Sequence, residues 1–448
     1  MKHLFSHKAH LLFASIIVLF NCSKTDDITA TNTSTYKSPE FVKTFGGSLN
    51  ESAQSVVKTV DGGYAILGHA QSMDGNIQNK TNTSFDYWLL KFNNNDELQW
   101  QNTYGGSDDD RGIDIIQTTD NGYAVLGYSK SSDGNLTENA GSNDFWILKL
   151  DASGAIIWQK TFGFLGADIG YTLTQTNDNG YLITGVLDVT ASGGQGNSKT
   201  SKTLHAGGDY WAIKLDANGT QEWSKFFGGS FTDTPYGVVE TNDNSFIIVG
   251  ASDSDDIDIK NNKGAYDFWV VKIAATGDLI WEKSFGGSKI DEAWGITTTN
   301  DNNFIIAGDT RSTDKDVITN NGAADVFVLK ITPDGDVVWK KSFGGTSFDT
   351  ARSISTTFDG GFLISGSSRS ADGNLSKNNG QNDALVLKLN SNGNLEWQTT
   401  VGGANVDIAF DVIQLNDAST IAVGASSSAD QDITENKGFT DMLIFKIK

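Results

Sequence analysis

WKKSFGG at residues 339–345 sets the register of the whole chain, because six variants of it recur: FVKTFGG at 41–47, WQNTYGG at 100–106, WQKTFGF at 158–164, WSKFFGG at 223–229, WEKSFGG at 281–287 and WQTTVGG at 397–403. The tryptophans Trp100, Trp158, Trp223, Trp281, Trp339 and Trp397 are spaced by 58, 65, 58, 58 and 58 residues. A fixed period of this length marks a repeat architecture, in which each copy buries its apolar faces against its neighbours. Two more markers keep the same count. An aspartate precedes an apolar strand at Asp86, Asp144, Asp209, Asp267, Asp325, Asp383 and Asp441, and a lysine lies within that strand at Lys91, Lys149, Lys214, Lys272, Lys330, Lys388 and Lys446.

Residues 351–400 show what one copy contains: ARSISTT, a DGG turn, FLISGSS, a polar loop, DALVLKL, an SNG turn and LEWQTTV. These read as four short strands. The turns DGG, DNG, SNG and ANG supply residues that tolerate positive φ, as tight hairpins require. Only 3 prolines occur in 448 residues, which suits strands that must donate ladder hydrogen bonds.

The two ends of the chain complete the reading. The last residues, DMLIFKIK at 441–448, form the third strand of a seventh copy that lacks its fourth, while the repeats begin with an orphan fourth strand, FVKTF at 41–45. Pairing the orphan with the incomplete copy closes an all-β, seven-bladed β-propeller and removes an open sheet edge. The recurring Trp, Gly-Gly-Ser, Asp and Asp-Gly-Gly pattern resembles bacterial SBBP-type seven-bladed β-propeller repeats over residues 41–448. The resemblance implies a fold and is silent about activity.

Composition narrows function. With 33 Lys+Arg against 55 Asp+Glu, a net charge of -22 and its basic residues scattered, the chain is no phosphate binder, so nucleic acid is not an expected partner. One cysteine excludes intramolecular disulfides and multi-cysteine metal sites. Three of the five histidines (His3, His7, His10) lie in the first ten residues, leaving only His69 and His205 for chemistry in the repeats.

Lys2 and Lys8 followed by the apolar run LLFASIIVLF at 11–20 read as a secretion signal, half the length of a membrane span. The lone cysteine, Cys22, follows at once, and Leu19-Phe20-Asn21-Cys22 resembles the lipobox of bacterial lipoproteins. The next residues, Ser23-Lys24-Thr25-Asp26-Asp27, are similar to the acidic export tag of surface-displayed lipoproteins. The expected organisation is a lipoprotein signal peptide at 1–21, a lipidated Cys22 with a flexible tether over 22–40, and the propeller at 41–448. The expected location is the outer membrane, lipid-anchored at the cell surface.

Several repeated positions are candidates for binding. A period-two set follows the second strand in every copy but the third, as in Ser72, Asp74, Asn76 or Ser312, Asp314, Asp316, and alternation puts each set on one side of the chain. Its carboxylates Asp74, Asp133, Asp256, Asp314, Asp372 and Asp430 are hard oxygen ligands of the kind Ca²⁺ takes, or side chains that shape the loop by bonding turn amides. No other cofactor is implied. An acidic residue opens every first strand: Glu51, Asp110, Asp168, Asp233, Asp291, Asp349 and Asp407. These form an anionic channel mouth, or accept N–H groups of the adjacent Gly-Gly turn.

Three residues further on, the copies differ. Gln54, Ile113, Tyr171, Tyr236, Trp294, Arg352 and Phe410 offer aromatic rings and an arginine to a sugar or a partner's side chain, or simply pack between blades. The third copy is irregular, entering through GFLGAD and carrying a longer loop, VLDVTASGGQGNSKTSKTLHAGG at 186–208, that contains His205. That insertion is a further candidate contact. The functional expectation is a non-enzymatic binding module or scaffold for an outer-membrane protein or an extracellular glycan. The alternative is a carbohydrate-active enzyme, glycoside hydrolase or lyase, with paired carboxylates at the channel mouth.

Overall fold

The computed structural model describes residues 35–197 and 205–448. The expected signal peptide, Cys22 and most of the expected tether therefore lie outside the described residues. Seven antiparallel sheets follow one another along the chain, and their first strands neighbour each other in a closed circle around a central channel. The architecture is an all-β, seven-bladed β-propeller. Six blades are made of consecutive strands, the first running through Glu51–Lys58, Tyr64–Ala70, Asp86–Phe92 and Leu98–Tyr104.

The seventh blade combines Asp407–Gln414, Thr420–Ser426 and Asp441–Ile447 with Phe41–Phe45 from the other end of the chain. Phe41 faces Lys446 and Phe45 faces Met442, in the antiparallel register the orphan-strand reading requires. Part of the segment expected as tether is paired. Thr35–Tyr36 adds a short parallel strand to the outer edge of the sixth blade, opposite Trp397 and Gln398, so the end of the expected tether is part of the structure.

This strap stands in for a missing hairpin. In the second to sixth blades the glycine of the third-to-fourth hairpin lies against the previous blade's tryptophan; a Cβ on Gly393 would come within 2.6 Å of Trp339. The seventh blade has no such hairpin, because its third and fourth strands are the two chain ends. Lys37 occupies the place, its Nζ 5.0 Å from the Trp397 ring centre and donating to the Lys448 carbonyl at 3.1 Å.

The middle two strands of each blade are buried on both faces, which explains why FLISGSS and DALVLKL carry so few charges. The exception is the repeated lysine of the third strand. Each one is buried and bridges to an aspartate, as Lys330 does to Asp301 at 2.8 Å and Lys388 to Asp359 at 2.9 Å. In six blades that aspartate belongs to the blade's own first turn; Lys446 of the seventh reaches Asp96 at 2.9 Å. The stems lie in apolar surroundings while the ammonium groups reach polar partners at the rim.

Adjacent blades are clasped by side chains that capture four successive backbone amides. In the fifth blade the N–H groups of Gly286, Gly287, Ser288 and Lys289 donate to Asp316 (3.4 Å), Asp291 (2.7 Å), Asp314 (2.8 Å) and Ser312 (2.9 Å). The same four-point clasp recurs in every blade but the third, where, among the described residues, Asp168 holds Phe164 N at 2.7 Å and Asp188 N at 2.9 Å. The first glycine of each pair has no room for a side chain: a Cβ on Gly286 would lie 2.2 Å from Asp267 Oδ1.

Candidate functional site

Every innermost strand contains one β-bulge, at the same place. In the first blade Ala53 faces Gly68 and Ser55 faces Leu67, leaving Gln54 without a partner. The other six bulges fall at Ile113, Tyr171, Tyr236, Trp294, Arg352 and Phe410. A bulged residue is released from the ladder and its side chain is re-aimed. Here all seven turn into the channel, where they line a cavity of about 530 Å³. The glycine opposite makes the bulge possible, since a Cβ on Gly68 would sit 1.8 Å from the Ser52 carbonyl oxygen.

These side chains do not present a row of open rings. Tyr171 meets Tyr236 edge-on at 5.2 Å, and Tyr236 stacks on Trp294 at 4.1 Å with 29° between planes. Arg352 places its guanidinium 3.9 Å over the Trp294 ring. With Tyr236 and Arg352 both stacked against it, Trp294 is no platform for a sugar. Its Nε1 donates to Asp309 at 3.1 Å, and burial pushes the Asp309 carboxyl up to about 7 although the Arg352 charge opposes the shift. Arg352 itself forms no ion pair among the described residues, and its Nε is buried without a hydrogen-bond partner.

The next position along each strand also differs between blades: Ser55, Asp114, Thr172, Gly237, Gly295, Ser353 and Asp411. Asp114 and Asp411 are carboxylates outside the repeat pattern, and both line the cavity. Ser55 Oγ lies 3.1 Å from each of them. Asp411 also accepts from Val56 N at 2.9 Å and Ser353 Oγ at 2.6 Å, and Asp114 from Leu173 N at 2.9 Å. One hydroxyl carries one proton, so it serves only one of the two carboxylates at a time. Burial raises both, Asp114 to about 6. The signal for this pair lies in the sequence one residue beyond the variable series, where Asp114 and Asp411 replace the Ser, Thr or Gly of the other copies.

Several expectations are corrected. The acidic series Glu51, Asp110, Asp168, Asp233, Asp291, Asp349 and Asp407 is no channel mouth: each is 0–1% exposed and holds a backbone amide of the turn before it. Asp74, Asp133, Asp256, Asp314, Asp372 and Asp430 each give Oδ1 to a clasp amide at 2.7–2.9 Å. One oxygen of each carboxylate thus accepts a turn N–H, the loop-shaping role that the sequence offered beside Ca²⁺. His205 is no surface contact either. Its ring packs edge-on against Phe226 and its Nδ1 meets Asp209 at 2.5 Å, so the imidazole is turned inward. The insertion that carries it contributes one helical turn, Val189–Ser192, capped by Asp188; residues 198–204 lie outside the described residues.

No family model and no curated protein matches the chain. Solved structures resemble it at low identity. The Neurospora crassa Pan2 WD40 domain is 9% identical with a TM-score of 0.49, over 92% of this chain and 97% of that one. A protein of unknown function from Bacteroides caccae is 10% identical with a TM-score of 0.42, over 75% and 93%. A gluconolactonase from Xanthomonas campestris is 8% identical with a TM-score of 0.35, over 74% and 92%. None of these likenesses bears on activity.

Proposed function

We propose that the chain is a non-enzymatic, extracytoplasmic binding module of the SBBP-repeat type, anchored through a lipid on Cys22 and taking a glycan or a partner's side chain into the channel. One observation carries the binding reading. The unrepeated side chains of the innermost strands, at the bulge and the position after it, converge on one cavity. Binding sites depart from symmetry where scaffolds keep it, and a cavity of this size falls in the range that small ligands occupy. The secretion signal and lipobox-like residues ahead of Cys22 support the location.

Asp114 and Asp411 favour a second reading, a glycoside hydrolase or lyase, because they are two unrepeated carboxylates in one channel. Against it, each is fixed by a backbone amide of the next blade, Leu173 and Val56, which is the work of a structural cap.

Two experiments test the proposal. Cys22→Ala moves the protein from the membrane fraction to the soluble one; unchanged detergent partitioning overturns the anchor. Purification from the native host in mild detergent, followed by glycan titration, tests the module. A stoichiometric membrane-protein partner or a saturable glycan supports it, while turnover of a glycan that is lost in Asp114→Asn establishes the enzyme instead.

A further inference from the structure

The channel wall is divided by charge. On the side of the seventh, first and second blades the side chains after the bulge are Asp411, Ser55 and Asp114, all acceptors or hydroxyls. Asp411 and Asp114 cap inward-facing N–H groups, those of Val56 and Leu173, one blade further round. In the fourth and fifth blades the corresponding residues are Gly237 and Gly295. A side chain there would stand 3.2 Å from Ile296 N and Ile354 N respectively. Ile296 and Ile354 hold the same ladder register as Val56, so their N–H groups face the channel across a glycine instead of a carboxylate.

Arg352 lines the same cavity as these two residues. Its guanidinium lies over the Trp294 ring and its Nε is buried without a hydrogen-bond partner. The nearby acids are Asp309, bonded to Trp294 Nε1, and Glu292, its ladder partner; neither lines the cavity. The cavity wall over the fourth to sixth blades therefore offers hydrogen-bond donors and one positive charge, in a protein whose net charge is -22. A guanidinium that forms no ion pair among the described residues, in the same cavity wall as channel-facing backbone N–H groups, is the donor set that a planar carboxylate takes.

We propose that the channel binds a uronate unit of an acidic glycan, its carboxylate on Arg352 and the amides of Ile296 and Ile354, and its hydroxyls on Asp114 and Asp411. This rests on the binding-module reading and names its ligand. A sugar acid carries both halves of the required chemistry on one ring, a carboxylate on one side and neutral hydroxyl donors on the other. The hydroxyls suit Asp114 and Asp411, which already share one proton donor and gain others from the ligand. The cavity is roomier than a single amino acid needs and accepts a sugar ring among Tyr171, Phe410 and Ile113.

The test is titration of detergent-solubilised full-length protein with galacturonate and galactose, which differ at the carboxylate, and with glucuronate and glucose. The uronates bind at least about 10-fold more tightly than their neutral counterparts, and Arg352→Gln removes that preference. Arg352→Lys, which keeps the charge and loses the planar fork, retains part of it, and an unchanged melting temperature in both variants shows that they fold. If neutral sugars bind as well as uronates and Arg352→Gln changes neither, the uronate assignment is overturned and the glycan module stands. If no sugar binds while a membrane-protein partner co-purifies, both the uronate and the channel fall.

Discussion

Phe41 and Lys446 lie opposite one another in the ladder that joins the two ends of the chain. The fourth strand of the seventh blade is thus supplied from 400 residues away in sequence order, by roughly the length of the whole ring. Deleting residues 35–45 leaves the edge of Asp441–Ile447 bare and Trp397 uncovered. The melting temperature falls by several degrees and the protein self-associates, as calorimetry and size-exclusion chromatography would read. A synthetic peptide of residues 35–45 restores both. A deletion that melts like the intact chain would refute closure.

The clasp predicts which small substitutions are costly. Gly344→Ala drives a Cβ to within 2.4 Å of Asp325 Oδ1 and destabilises by about 1–3 kcal/mol. Ser312→Ala removes the donor to Asp291 (2.8 Å) and the acceptor of Lys289 N (2.9 Å), at about 1–3 kcal/mol. Denaturant titration measures both. Values near zero would mean the loops are held by something other than these side chains.

Acidity acts in two opposed ways. Burial pushes Asp86, Asp267, Asp325 and Asp383 up to about 6, with the neighbouring first-strand carboxylates adding to it. A folded-state pKa above the unfolded one stabilises fully below about 4 and is lost as pH rises through about 6. Asp120, Asp178 and Asp359 behave inversely. Burial opposes their ionisation, but lysine and threonine hydrogen bonds outweigh it and bring them to about 2, so their contribution disappears as pH falls through that value. The melting temperature accordingly rises from pH 8 to about 5 and drops below about 3. In Asp267→Asn the rise is smaller, and an unaltered profile would remove that residue from the explanation.

Among the described residues, the junction between the second and third blades departs from the four-point clasp. Phe164 N donates to Asp168, and among the described residues no set of four side chains like that of the other junctions is found here. Amide hydrogen exchange at residues 163–168 is therefore faster than at 286–291 or 344–349. Equal protection at all three places would show that the missing clasp is replaced elsewhere.

The architecture was legible because its signals are repeated: a tryptophan, a Gly-Gly pair, an aspartate and a lysine in step along the chain. The closing strand was legible because FVKTF is a copy out of place. The strap was not, since Thr35–Tyr36 is too short for any periodicity and pairs only because Trp397 lacks its hairpin. The Ser72, Asp74, Asn76 sets showed their alternation but not their targets, which are amides of the preceding Gly-Gly turn. The bulge was visible only indirectly, through the glycine that recurs in each second strand. The bulged residues were picked out by their variability, whereas Asp114 and Asp411 escaped because a carboxylate in so acidic a chain draws no notice.

The bulge separates two tasks within a single strand. A bulged residue contributes no ladder pair, so Gln54, Ile113 and Trp294 occupy one backbone site with unrelated side chains and leave the strand intact. Seven such sites face one lumen, each free to be rewritten without disturbing the sheets that carry it. The molecule is in that sense a frame with seven exchangeable inserts, and a change of ligand asks for new letters at those positions, not a new fold.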